Sequence, residues 1–197
     1  MLLYNYISYV KNEGWNIAMK RLSIFLLLTT ILSLLYGCSD SPDVQSSIPE
    51  KAPKDFAVHF ETWIIEERKN VFDTFDGYIQ KDLIQNGIEK KDYKISKADL
   101  DEIYKKVYAI KDIEKSMNSN NLSQESTYIY VSPLTYYVIT LRADGVTYTI
   151  EGDYTSSYFK ESSTEAAAFW EAVTFLRDFM HNTEEYQSMP EAVGGYD

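Results

Sequence analysis

The sequence predicts an α+β protein: an antiparallel sheet with two helices packed on one face, in the order strands, helix, strands, helix. Three observations carry this expectation. Residues 56–65 alternate in the manner of a strand, and Asp144-Gly145 lies directly between two β-rich runs. Two later segments, from Leu100 to Ile110 and from Phe169 to Met180, repeat apolar residues at helical spacing.

The alternation in "DFAVHFETWII" sets Phe56, Val58, Phe60, Thr62 and Ile64 on one side of a strand. Ala57, His59, Glu61, Trp63 and Ile65 fall on the other, and both faces have apolar weight. "EERKN" reads as a polar turn, and Asp76-Gly77 within "VFDTFDGYIQKDLI" offers the positive-φ pair of a tight turn. Asn86-Gly87 closes that segment, and "EKKDYKI" supplies another short strand. Ser96 with Asp99 has capping-box spacing. The helix it opens has Leu100, Ile103, Tyr104, Val107 and Ile110 on its apolar face. "KSMNSNNLSQES" is a polar loop without period, and "STYIYVS" reads as a strand broken at Pro133. "LTYYVITLRADGVTYTIEGDY" is the strongest hairpin. Ser162 and Glu165 stand in capping-box register before the last helix, whose stripe is Phe169, Ala172, Val173, Leu176 and Met180, widened by Phe175 and Phe179.

Ahead of this domain the chain is organised differently. Met19-Lys20-Arg21 precedes "LSIFLLLTTILSLLY", Leu22 to Tyr36, which carries no charge and four Ser/Thr. A basic start, a short apolar core and a small residue at the end make a secretory signal, whereas a transmembrane helix needs roughly 20 apolar residues. The chain's one cysteine, Cys38, follows at once. Leu35-Tyr36-Gly37-Cys38 resembles the lipobox of bacterial lipoproteins. The resemblance implies cleavage before Cys38, diacylglycerol on its thiol, and attachment to the outer face of the cell membrane. Thiolate nucleophilicity suits transfer of a diacylglycerol group to the sulfur. An uncleaved anchor and plain secretion are the alternatives. With no second cysteine, Cys38 forms no disulfide within the chain.

Residues 1–18 displace the signal's basic region from the chain start, which leads us to expect translation from Met19. Glu13-Gly14-Trp15 requires a purine-rich codon run at the position of a bacterial ribosome-binding site. The expected organisation is thus a leader at 1–18, a signal peptide at 19–37, a lipidated cysteine and tether at 38–54, and one domain at 55–197. The tether "SDSPDVQSSIPEKAPK" holds three of the five prolines. As polyproline II it reaches up to about 50 Å.

"TFDGYIQKDLI" (Thr74–Ile84), "ISKADLDEIYKKV" (Ile95–Val107) and "EEYQSMPEAVGGYD" (Glu184–Asp197) together resemble a group of uncharacterised lipoproteins of Gram-positive bacteria. The resemblance spans most of the domain. It implies an envelope location and supplies no catalytic residue.

Beyond Cys38, 16 basic residues oppose 29 acidic ones, a net charge of −13. From Asp144 onward the net is −9, with only Lys160 and Arg177 basic. Such a balance excludes nucleic acid, which needs basic patches, and charge-driven binding to anionic lipid. A solvated acidic surface is the plain reading; a cationic partner or divalent ions are the functional one.

Catalytic chemistry is sparsely signalled. The two histidines, His59 and His181, stand far apart, and no His/Cys cluster offers a zinc ligand set. His59 reads as a packed or rim residue beside Trp63, and His181 as a cap at the end of the last helix. Ser157-Tyr158-Phe159-Lys160 matches S-x-x-K, without the companion elements of that enzyme class. Asp73-Thr74-Phe75-Asp76-Gly77 and Glu151-Gly152-Asp153 read as turns before metal loops. Tyr128, Tyr130, Tyr136, Tyr137, Tyr148, Tyr154 and Tyr158 read as strand residues, the exposed ones forming the best contact surface. No cofactor or metal site is expected. Two functions remain open: an interaction module binding an envelope protein or peptide, and an envelope hydrolase whose Asp73, Asp76, Glu151 and Asp153 converge only in the fold.

Overall fold

Strand β1 (Ala57–Ile65) lies near the middle of a six-stranded antiparallel sheet of order β4-β3-β2-β1-β5-β6. The other strands are β2 (Arg68–Asp73), β3 (Tyr78–Asp82), β4 (Ile88–Asp92), β5 (Tyr136–Ala143) and β6 (Val146–Asp153). Helix α1 (Lys97–Val107) follows β4, helix α2 (Thr164–His181) follows β6, and a four-residue α3 (Glu184–Gln187) comes last. These elements come from a computed structural model that describes residues 51–113, 131–161 and 163–196. All of them belong to one compact unit, Ile48–Asp197, and the fold class is α+β.

The strand alternation sorts as the sequence predicts. Val58, Phe60, Ile139, Leu141, Phe72, Ile79 and Ile150 are buried together with Ile103, Tyr104 and Val107 of α1 and Phe169, Ala172, Val173, Leu176 and Met180 of α2. Each large side chain wholly withdrawn from water contributes about 1.5–3 kcal/mol. One cluster therefore ties the sheet to both long helices.

Local chemistry sets the element ends. Ser96 accepts the Asp99 N–H at 3.1 Å and donates its hydroxyl to the Asp99 carboxylate at 2.6 Å, a capping box closed through the hydroxyl. The helical run ends at Val107, and Ile110 is buried from a 3-10 helix, Tyr108–Asp112. At the β5–β6 turn Asp144 and Gly145 adopt φ of 52° and 77°, the positive-φ pair expected there. The Asp55 carboxylate accepts both turn amides, at 3.0 and 2.7 Å, so a residue just ahead of β1 clasps this hairpin.

Several expectations are corrected. The polar turn after β1 shrinks to Glu66-Glu67, because β2 already begins at Arg68. In the β2–β3 turn only Gly77 has positive φ; the Asp73 carboxylate bonds the N–H groups of Phe75 and Asp76 and shapes a longer turn. Helix α2 is capped by Ser163, which accepts the Ala166 N–H at 3.2 Å, one residue beyond the expected Ser162. There are three α-helices among the described residues where two were expected. The expected strand at 126–132 and the polar loop before it fall mainly outside the described residues, as do the leader, the signal segment and Cys38.

The C-terminal segment straps onto the β3–β4 turn. Val193 forms a parallel bridge with Ile84, exchanging bonds with Leu83 and Gln85. Tyr196 donates its hydroxyl to Asp82, Tyr186 donates to Asn70 at 3.1 Å, and Met189 is buried. Ile84 sits at φ 59°, costly for a β-branched residue. The Asp82 carboxylate holds its N–H and the Arg68 guanidinium its carbonyl.

Candidate functional site

The face of the sheet turned away from the buried cluster is built by β1, β2 and β5. His59, Glu61 and Trp63 alternate onto it from β1. A register shift between Trp63 and Ile65 then pairs Trp63 with Lys69, Glu61 with Val71 and His59 with Asp73. On the other side β5 sets Thr140 opposite His59, Val138 opposite Glu61 and Tyr136 opposite Trp63. None of His59, Glu61, Trp63, Lys69 or Asp73 belongs to the cluster shared with the helices.

These side chains join in one line. Asp73 Oδ2 lies 2.9 Å from His59 Nδ1, and His59 Nε2 lies 3.0 Å from Glu61 Oε1. Lys69 donates to Glu61 Oε2 at 2.8 Å, and its ammonium stands 4.5 Å from the centre of the Trp63 ring. Trp63 in turn stacks on Tyr136 with centroids 5.9 Å apart and planes inclined by 20°. Burial falls along the line: the Asp73 side chain is 5% exposed and Lys69 26%, while Tyr136 is exposed.

The electrostatics make this a locked network. Burial opposes ionisation of Glu61, but the hydrogen bonds from Lys69 and His59 outweigh it, and its pKa lies below the usual 4.5. Carboxylates only accept hydrogen bonds. Both ring nitrogens of His59 lie within hydrogen-bond distance of a carboxylate oxygen, Asp73 on one side and Glu61 on the other. The arrangement can present charge, an aromatic pair and hydrogen-bonding groups on a firm strand framework. It has no nucleophile–base pair.

The other sequence candidates are scattered. Asp73 and Asp76 share the β2–β3 turn, where Asp76 is exposed. Glu151 is exposed on β6, and Asp153, at the end of that strand, is buried and accepts the Thr155 N–H at 2.8 Å as a 3-10 cap. Strands β2 and β6 are separated by β1 and β5, about 14 Å at ~4.8 Å per strand. The four carboxylates do not converge. His181 lies at the end of α2 with its ring 4.7 Å from that of Tyr186. Burial, then Arg177, lowers its pKa, which weakens the expected charged-cap role; Asn182 forms the helix end. Ser157 donates its hydroxyl to the Tyr154 carbonyl at 2.8 Å. Tyr136, Tyr154 and Tyr158 are the exposed tyrosines among those singled out, and Tyr128 and Tyr130 lie outside the described residues.

A groove of about 510 Å³ opens elsewhere, between the end of α2 and the segment leading into α1. Phe175, Phe179 and Tyr93 line it, with Asp99, Asp178, Glu184 and Glu185 against a single Lys94. Burial, with Asp99 and Glu185 nearby, pushes the Tyr93 hydroxyl up to about 12. Among the described residues no group of three His, Cys, Asp or Glu side chains is placed to hold a metal ion, and no helix is long and apolar enough to cross a membrane.

Lys69 and the Trp63–Tyr136 stack are the members that sequence reasoning missed. Alternation already put His59, Glu61 and Trp63 on one side. Uniform pairing from the Glu66-Glu67 turn would have set Lys69 opposite Ile64, on the wrong face. Fold and face define an α+β protein whose antiparallel sheet presents an organised polar–aromatic face. No protein-family model, curated protein or solved structure matches the chain.

Proposed function

We propose that this chain is a bacterial lipoprotein, anchored through acylated Cys38 to the extracytoplasmic face of the cell membrane, whose domain is a binding module for an envelope protein or peptide. The observation that carries the binding role is the Asp73–His59–Glu61–Lys69–Trp63–Tyr136 line on the outward face of the sheet. Aromatic residues flanked by oriented charge are the composition of interface cores and rims. In this reading α1 and α2 form the single layer behind the sheet, leaving the front for the partner. Ala52, whose amide bonds Asp101 at 2.8 Å, already belongs to the domain, so the Pro/Ser segment ahead of it holds the domain off the bilayer. The anchor rests on the basic start, the apolar run Leu22–Tyr36 and the lipobox Leu35–Cys38.

Two experiments test the two halves. Labelled palmitate should enter the protein in growing cells and be lost in Cys38→Ala; equal labelling of that variant would overturn the anchor. A photo-crosslinking residue at Tyr136 should give one discrete adduct in intact envelopes that disappears with Trp63→Ala. Absence of any adduct, or one indifferent to Trp63, would overturn the binding face. The hydrolase alternative has no support from the geometry, since Asp73 and Asp76 lie across two intervening strands from Glu151 and Asp153.

A further inference from the structure

The two edges of the sheet are finished differently. At one edge β4 is five residues long, carries Lys90 and Lys91, and is tied to the C-terminal segment by the Lys91–Ser188 hydrogen bond. Short length, lysines and a covering segment are the usual protections against edge-to-edge pairing. At the other edge β6 is eight residues long and reads "VTYTIEGD", with no Lys, Arg or Pro. Its pairing with β5 runs without a shift from Ala143↔Val146 to Tyr136↔Asp153, so no bulge twists it away.

The register says which groups face outward. Ala143 and Val146 flank a two-residue turn and form a hydrogen-bonded pair. Pairs then alternate, so Val146, Tyr148, Ile150 and Gly152 bond β5, while the amides and carbonyls of Thr147, Thr149 and Glu151 point off the edge. The Thr140 and Thr149 hydroxyls lie 3.2 Å apart, as suits a close, non-hydrogen-bonded pair. Thr147, Thr149 and Glu151 are all exposed, and among the described residues no strand other than β5 pairs with β6.

We propose that β6 is a homodimer interface, two copies pairing antiparallel about a two-fold axis at Thr149 to join their sheets. This surface is separate from the binding face and does not rest on that reading. The register is chosen by chemistry. With the axis at Thr149, Thr149 meets its own copy, Thr147 meets Glu151, and Tyr148 meets Ile150, an aromatic–β-branched pair. The outward amides of Thr147, Thr149 and Glu151 then each find a carbonyl. An axis at Glu151 would set two glutamates directly opposite each other, and an axis at Thr147 would run off the strand at the Asp144-Gly145 turn. The joined sheets carry two copies of the Trp63–Tyr136 face into one continuous surface. Edge pairing buries little area, so the dimer forms reversibly and depends on concentration.

Cysteine crosslinking on the full chain in mild detergent tests this, in a Cys38→Ser background so that each introduced thiol stands alone. Directly opposed hydrogen-bonded residues lie about 5.5 Å apart at Cα, within disulfide reach. Thr149→Cys should therefore crosslink to a dimer on mild oxidation. Thr147→Cys should stay monomeric, its copies being about 13 Å apart along the strands, yet crosslink when mixed with Glu151→Cys. Equal crosslinking at 147 and 149, no dimer at 149, or adducts of 149 with other proteins instead of a second copy would each overturn the proposal. Thr149→Lys, which sets like charges face to face, should shift sedimentation from dimer to monomer while Tm stays within a few degrees. A dimer that persists in this variant would also overturn it.

Discussion

Oδ2 of Asp73 stands 2.9 Å from Nδ1 of His59, in direct register across β1 and β2. The same carboxylate accepts the Phe75 and Asp76 amides at 2.6 and 3.0 Å. One nearly buried side chain thus closes a turn and fixes the first member of the charged line. Asp73→Ala leaves two amides and a ring nitrogen without their acceptor, and at about 1 kcal/mol for each lost bond it should cost on the order of 2–4 kcal/mol in urea unfolding. A loss below about 0.5 kcal/mol, the scale of an ordinary surface change, would show that the turn holds without it.

Acid should weaken the fold through Glu61. Its folded-state pKa lies below its ordinary 4.5, so the folded chain holds the ionised form more firmly than the unfolded chain does. The stabilisation is complete above about pH 4.5 and is lost as pH falls through the lower folded value. Glu61→Gln should flatten the dependence of unfolding midpoint on pH in that window. An unchanged profile in the variant would refute the assignment.

The β5–β6 hairpin should respond to two different substitutions. Asp55→Ala removes the acceptor of the Asp144 and Gly145 amides, so their hydrogen exchange should quicken selectively. Gly145→Ala meets no neighbouring atom within 4 Å but must hold φ near 77°. Its cost should be conformational alone, about 1 kcal/mol, with the fold intact by circular dichroism.

Leu176 is fully buried within the cluster that joins α2 to the sheet. Leu176→Ala should destabilise by about 2–5 kcal/mol. Trp63→Ala, on the open face, should cost far less, about 1 kcal/mol or below. That contrast in thermal unfolding separates residues kept for packing from residues available for contact.

Much of the fold was legible because its signals are local. Alternation placed β1, the Asp144-Gly145 pair placed the β5–β6 hairpin, and apolar spacing gave the buried stripes of both long helices. Other features turned on interactions that no local window contains. Capping-box spacing to Glu165 singled out Ser162, yet the cap formed one residue on, at Ser163. Helix α3 is too short to show a period; Thr183 caps it, and Tyr186 reaches back to Asn70. The scattered carboxylates Asp73, Asp76, Glu151 and Asp153 could be placed only once strand order was known.

The sequence by itself determined β1, the β5–β6 hairpin with its Asp144-Gly145 turn, the apolar faces of the two long helices and the acidic balance, since these follow from the conformational preferences and polarity of neighbouring residues. Only the tertiary structure decided which residues meet. A shift of one residue between Trp63 and Ile65 turns Lys69 toward Trp63 and Asp73 toward His59. In a strand whose side chains alternate, a single added residue exchanges the two faces. The packing of distant segments settles that register, and with it the line from Asp73 to Tyr136.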